Sequence, residues 1–290
     1  SNCESLKLTD LLTLADAETR HLWGDLSLGY TDSLGHLTLR TEIAQLYEKI
    51  SPEQTLVIAP EEGIYIAMRC LLQPGDHVIA VSPAYQSLHE VAKDMGCEVS
   101  HWQFRQEGNI WSLCLSDLKA LVKPETKLVI VNFPHNPTGY LPAAETWAAP
   151  LDIVRHHGAW LLCDEMYRGL ERDPADGLPS AADTYERAIV LSGLSKTHGL
   201  PGLRAGWLIV RDAATRAALI NWKHYTTICP PAPSERLATA ALKAHTPLVE
   251  RSRGIIAANL QLAEAFFARH AAQFDWRPPR AGSVALVGLR

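Results

Sequence analysis

The sequence predicts an α/β protein with a mostly parallel central sheet, and three observations carry that expectation. Between residues 55 and 210 short runs rich in β-branched residues alternate with segments of helical period, as in strand–helix–strand crossovers. Two of these runs, 128–133 (apolar but for Asn132) and 160–163, have the apolar pattern of strands covered on both faces. Glycine, proline, asparagine or carboxylate residues follow the runs, where open α/β sheets bind ligands.

The elements follow in order. TLVIA (55–59) reads as a strand leading into a helix over EGIYIAMRCLL, and HVIAV (77–81) as a strand before a proline turn and the helix SLHEVAKDMG, which stops at Gly96. Further strands are expected at CEVSHW, KLVIVNF (127–133), AWLLCDE (159–165), RAIVLSG (187–193) and GWLIV (206–210). After residue 211 the pattern turns helical through RDAATRAALINWKHY, PSERLATAALKAH and 247–270, with PPAP (230–233) a kink between helices. The closing AGSVALVGL reads as the first strand of a small, truncated α+β domain. The expected division is 1–36 as an N-terminal segment and dimer contact, 37–215 as a large domain, and 216–290 as connecting helices with a partial C-terminal domain.

Composition narrows the class. The 290 residues are 47% hydrophobic and 20% charged with net charge −5, and the basic residues are scattered among acids, so a nucleic-acid partner is not expected. The six cysteines stand apart with no zinc-ligand spacing and read as buried thiols of a reducing compartment. With no leader-like start and no membrane-length apolar run, the expected location is cytoplasmic.

Three segments could carry chemistry. In VNFPHNPTGY (131–140) a buried strand enters a rigid turn that holds the Asn136 amide at its carboxyl end. CDEMYRG (163–169) puts Asp164 and Glu165 at a strand end, where a carboxylate needs a cation or several donors. LSGLSKTHGLPGLRAGW (191–207) is dense in small residues around Lys196 and Arg204, a setting for a nucleophilic amine and for an arginine fork on a phosphate. Taken singly, each could be a tight turn, a solvated acid or an exposed loop lysine. A metal centre on His156, His157 and Asp164 is disfavoured, because adjacent histidines on a helix project in different directions.

Together the three segments, in this order and spacing, resemble the fold-type-I pyridoxal-phosphate enzymes of the aspartate-aminotransferase superfamily, along nearly the whole chain. The resemblance implies a three-layer α/β/α large domain and pyridoxal 5'-phosphate held as a Schiff base on Lys196. Asp164 would pair with the ring nitrogen, and Asn136 and Tyr167 would bond the ring's phenolate oxygen. Arg204 and Ser195 would hold the phosphate, with Ser195 preferred because the usual serine position is Gly193. Tyr85 in SPAY falls where a ring stacks on the pyridine, and Tyr30 in LGYTDSLGHLTLR where a tyrosine reaches the partner subunit's phosphate, which implies a homodimer with shared active sites. The turn IAPEEG matches the phosphate cradle at a helix N-terminus through Ala59, Pro60 and Glu61, although proline offers no N–H.

The implied activity is an aminotransferase acting on an α-amino acid and a 2-oxo acid. Similarity of VNFPHNPTG, SKTHGLPGLRAGW and HYTTICPPAPSE to capreomycidine-synthase-like enzymes keeps a lyase or cyclase open, and a cofactor-binding chain without turnover is the third reading. Family chains continue well beyond AGSVALVGLR with an arginine for the substrate carboxylate, so a fragment or a trimmed form is expected. Trp23, Trp207, Tyr225 and His198 stand between pocket lining and core packing.

Overall fold

The computed structural model describes residues 4–108 and 110–290. Cys3 lies outside the described residues.

Three short helices open the chain: α1 (Leu8–Leu14), α2 (Ala17–Gly24), capped by the Asp16 side chain on the Thr19 amide, and α3 (Leu37–Ala44). Strand β1 (Thr55–Ile58) runs into α4 (Pro60–Leu71), where Pro60 at the first helical position supplies a preset φ, and Ile64, Ala67 and Met68 are buried at helical spacing. Strand β2 (His77–Ser82) leads to α5 (Ser87–Asp94), which stops at Gly96 with φ +81°. A hairpin of β3 (Glu98–Glu107) and β4 (Ile110–Leu113) is followed by α6 (Leu115–Leu121), β5 (Thr126–Asn132), α7 (Ala144–His157) and β6 (Trp160–Asp164). Helix α7 carries Arg155, His156 and His157 in its last turn and ends on left-handed Gly158, two independent stop signals. Then come α8 (Ala181–Thr184), β7 (Ala188–Gly193), β8 (Gly206–Val210), α9 (Ala213–Lys223), α10 (Ala232–Lys243) and α11 (His245–Arg269). Two short strands, β9 (Phe274–Asp275) and β10 (Gly288–Leu289), pair near the C-terminus.

The eight-stranded sheet has the order β1-β8-β7-β6-β5-β2-β3-β4. Strands β3, β2, β5, β6 and β7 are parallel to one another, while β8 runs antiparallel between β7 and β1, and β4 antiparallel on β3. Because side chains alternate along a strand, each buried strand feeds two cores. Val57, Val81, Val129, Val131, Leu161 and Val190 join one with α1, α3, α7 and α10. Leu56, Val78, Leu128, Ile130, Leu162 and Leu191 join the other with α4, α5 and α9. Helices therefore cover both faces, giving the expected three layers, with a smaller α+β portion at the C-terminal end.

Three expectations change in detail. Strand β3 extends to Glu107 and pairs with β4, whose half-exposed residues give no burial pattern to read. In the closing segment only Gly288–Leu289 forms a ladder. Residues 280–282 instead donate to the carbonyls of Gly139 and Leu170, with Gly282 at φ +79°, so that stretch binds irregularly across the strand ends. Of the described cysteines, Cys163 is buried, whereas Cys70, Cys97, Cys114 and Cys229 are partly exposed free thiols.

Candidate active site

The carboxyl ends of β5, β6 and β7 converge, and main-chain chemistry at each end explains why. Asn132, the last residue of β5, is fully buried; its side-chain NH2 donates to the Asp164 carbonyl at 2.9 Å, and its Oδ1 accepts from the Asn136 amide at 2.7 Å. One amide thus fastens the Asn136 turn to the end of β6. Gly139 closes that turn at φ +67°, donating to the His135 carbonyl at 2.8 Å. Sequence reading passed over Asn132; a polar residue at the end of an otherwise apolar strand is the signal that could have found it.

Asp164 is buried and accepts from the Met166 amide at 2.9 Å. Burial pushes its carboxyl up to about 7; the Met166 bond opposes this, Glu165 and Glu61 add to it, and Lys196 pulls it down. Glu165 turns away: its Oε1 accepts from the Ser180 hydroxyl and the Ala181 amide, both at 2.9 Å, and Arg168 stands 3.9 Å from Oε2. The Tyr167 ring is buried, with the Lys196 Nζ 6.0 Å from its centroid.

Beyond β7, residues 194–205 leave the sheet and return as β8. Gly193 and Gly206 face each other across the ladder, and a Cβ on Gly206 would lie 2.7 Å from the Ser192 carbonyl oxygen and 2.8 Å from Pro60 Cγ. This packing sets the start of α4 against the first residue of β8, next to the excursion that carries buried Ser195, half-buried Lys196 and exposed Arg204. Arg204 adopts φ 51°, is exposed, and donates to the Pro201 carbonyl at 3.1 Å.

At the start of α4, Ala59 is the cap residue and makes no side-chain cap bond. Because Pro60 has no N–H, the amides of Glu61 and Glu62 are the first-turn donors. Both acidic side chains turn aside: Glu61 takes the hydroxyls of Tyr85 and Ser87, and Glu62 those of Thr226 and Thr227. Ala59, Arg204, Tyr30 and buried Lys223 line one cavity of about 630 Å³. The Tyr30 ring is 91% exposed on this cavity of its own chain.

Lys196 lines a second cavity of about 580 Å³, walled by one face of α11 (Ser252, Ile256, Asn259) and by Trp276 and Ser283. Sequence reasoning missed this wall. Of the four undecided residues, Trp207 is buried and donates to the Tyr47 hydroxyl at 2.8 Å, and Trp23 packs on the core. Tyr225 is exposed, and buried His198 pairs with His245 at 3.0 Å. Among the described residues no group of three or more histidine, cysteine or acidic side chains is arranged to hold a metal, and no helix is long and apolar enough to cross a membrane.

Asp164 thus ends β6, Lys196 and Arg204 stand on one excursion beside the start of α4, and the two basic side chains line different cavities. The model of the family "Aminotransferase class I and II" matches residues 5–290. The chain belongs to this family. Among class I and II relatives, the arginine–pyruvate transaminase AruH of Pseudomonas aeruginosa is 33% identical over 235 residues, 77% of this chain and 58% of that protein. Capreomycidine synthase of Streptomyces vinaceus is 32% identical over 215 residues, 73% of this chain and 54% of its own length. The chain therefore spans little more than half the length of these curated relatives. Among solved structures, a PLP-dependent aminotransferase from Streptococcus suis matches with TM-score 0.90 at 29% identity, covering 98% of this chain and 76% of that one. The PLP-dependent cyclase OrfR matches with TM-score 0.91 at 26% identity, covering 100% and 75%. The architecture is that of the fold-type-I pyridoxal-phosphate enzymes.

Proposed function

We propose that this chain binds pyridoxal 5'-phosphate with Lys196 as its covalent attachment point and transfers the amino group of an α-amino acid to a 2-oxo acid. The observation that carries this reading is the Asp164 carboxyl, enclosed at the end of β6 and pushed up to about 7 by burial, close enough to Lys196 to feel its charge. Such a carboxyl is matched by a cationic ring N–H donor, and a pyridinium supplies one. Neighbouring groups support the reading: Lys196 Nζ stands 6.0 Å from the Tyr167 ring centroid, the Asn136 turn is tied through Asn132 to the end of β6, and Arg204 lines a cavity with Ala59 and Glu62 at the start of α4.

When bound, the cofactor supplies an electron sink for negative charge developing at the substrate α-carbon. Asp164 holds the proton of the ring nitrogen by accepting its hydrogen bond. Asn136 and Tyr167 donate to the ring's phenolic oxygen. Arg204, Ser195 and the Glu61 and Glu62 amides bind the phosphate, with α4 directing its positive end there. Tyr85 stacks on the ring, and Tyr30 serves the phosphate of a partner subunit in a homodimer. Lys196, the attachment point, would also serve as the base that takes the α-carbon proton and the acid that returns it.

A second reading, a lyase or cyclase on the same site, is favoured by the likeness to capreomycidine synthase and to the cyclase OrfR. One experiment tests both: absorbance spectra of the chain with added pyridoxal phosphate, beside Lys196→Ala, before and after amino acids and then 2-oxo acids. Amino transfer gives a visible-edge band that needs Lys196, is lost on adding an amino acid and returns with a 2-oxo acid. Product formed without any 2-oxo acid supports the lyase or cyclase. A spectrum indifferent to Lys196 sinks the shared premise, and a Lys196-dependent band unmoved by any amino acid leaves a binding protein without turnover.

A further inference from the structure

The side chain of Glu61 does not point its charge at the phosphate end of the site. Its Oε2 accepts a hydrogen bond from the Tyr85 hydroxyl at 3.1 Å, and its Oε1 accepts one from the Ser87 hydroxyl. Tyr85 stands on the turn between β2 and α5 with 43% of its surface exposed, so packing alone does not fix its ring. Ser87 is the first residue of α5, so the carboxylate of one helix start ties down both the ring and the base of the next helix. Charge-assisted O–H to carboxylate bonds are the stronger class of hydrogen bond, and two of them meet here on one group.

We propose that Glu61 is a positioning residue for Tyr85: its carboxylate holds the phenol in the plane in which the ring stacks on the cofactor. The inference rests on the proposed stacking role of Tyr85 and adds a residue that acts through it. It also accounts for an acid in the first turn of a helix meant to receive an anion. Glu61 is turned to one side by Tyr85 and Ser87 and Glu62 to the other by Thr226 and Thr227, which leaves the helix amides to face the site.

The alternative role of Glu61 is a helix-start charge that favours the α4 dipole. The two roles separate because glutamine keeps an acceptor for Tyr85 and loses the charge. The experiment titrates pyridoxal phosphate into the chain and into Glu61→Ala, Glu61→Gln, Tyr85→Phe and the double variant Glu61→Ala/Tyr85→Phe. It reads the dissociation constant and the visible circular dichroism of the bound cofactor. Glu61→Ala is expected to weaken binding about five-fold, the scale of one lost hydrogen bond, and to reduce the dichroic band. Tyr85→Phe should do the same, the double variant no more than either, and Glu61→Gln should recover most of both signals. Additive losses in the double variant, or a Glu61→Gln variant as impaired as Glu61→Ala, overturn the proposal. Tyr85→Ala is the control on its foundation: unchanged binding there removes the stacking role itself, whereas weakened binding beside an unaffected Glu61→Ala removes only the part given to Glu61.

Discussion

Gly139 and Pro279 are packed so closely that a Cβ added to the glycine would lie 2.1 Å from the proline Cβ and 2.8 Å from its Cα. The Gly139 carbonyl also accepts from the amides of Arg280 and Ala281 at 2.8 and 3.2 Å, so the asparagine turn is the platform on which the C-terminal segment rests. Gly139→Ala combines a left-handed φ with a backbone collision. A loss of about 2 to 4 kcal/mol is expected in urea unfolding, with faster hydrogen exchange at Ala281 and Gly282. An unchanged midpoint would mean that the segment yields freely.

Asp164 makes stability depend on pH in a definite direction. Its folded-state value, about 7, lies above the ordinary 3.8, so between these values the folded chain holds a proton that the unfolded chain releases. The cofactor-free protein therefore loses stability through this group as pH rises from about 4 to about 7, by on the order of 2 to 4 kcal/mol. Burial holds His135 and His198 down at about 3, from 6.5, and these two act oppositely, losing stability as pH falls through the same range. Comparison with Asp164→Asn isolates the carboxyl: the variant should gain on the wild type as pH rises. Parallel stability curves would show that Asp164 titrates normally.

The indole N–H of Trp207 donates to the Tyr47 hydroxyl at 2.8 Å, and both side chains are buried. Tyr47→Phe leaves that N–H without its acceptor and is expected to cost about 1 to 3 kcal/mol in thermal or urea unfolding. Adding Trp207→Phe should cost less than the two single losses combined. Full additivity would deny the coupling.

Gly282 lies against the Tyr167 ring at φ +79°, and a Cβ there would be 3.4 Å from Tyr167 Cδ1. Contact of that length is ordinary, so the expected cost of Gly282→Ala, about 1 to 2 kcal/mol, comes from the backbone conformation. Gly282→Asn, which tolerates that conformation better, should lose less. Equal losses in the two variants would assign the effect to crowding of Tyr167 instead.

Much of this was legible in the chain because burial leaves a pattern. Strands β1, β2, β5, β6, β7 and β8 are buried, and their apolar runs mark them within a residue or two. Strand β4 was missed because Ile110–Leu113 is only partly covered, and β9 because two residues carry no period, while the strand read over AGSVALVGL shrinks to the two residues of β10. Among the candidate site residues, Asp164 ends β6 and Asn136 and Lys196 stand in the turns just after β5 and β7, where local motifs draw attention, whereas Arg204 stands just before β8. The cavity wall on α11 was not visible, since Ser252, Ile256 and Asn259 recur at the same spacing as a core stripe. The tie from Glu61 to Tyr85 and Ser87 joins two crossovers, a pairing made only by the fold.

The antiparallel return of β8 beside β7 gives the excursion from 194 to 205 the character of a ruler. Its two ends are clamped at the Gly193 and Gly206 pair, so the reach between Lys196 and Arg204 is set by the length of chain between two fixed posts. If, as proposed, one cofactor is held by both side chains, this reach would measure it end to end. Lengthening or shortening this excursion by a single residue would therefore change the size of molecule that fits, whereas similar changes in the β3–β4 hairpin would alter no such gauge.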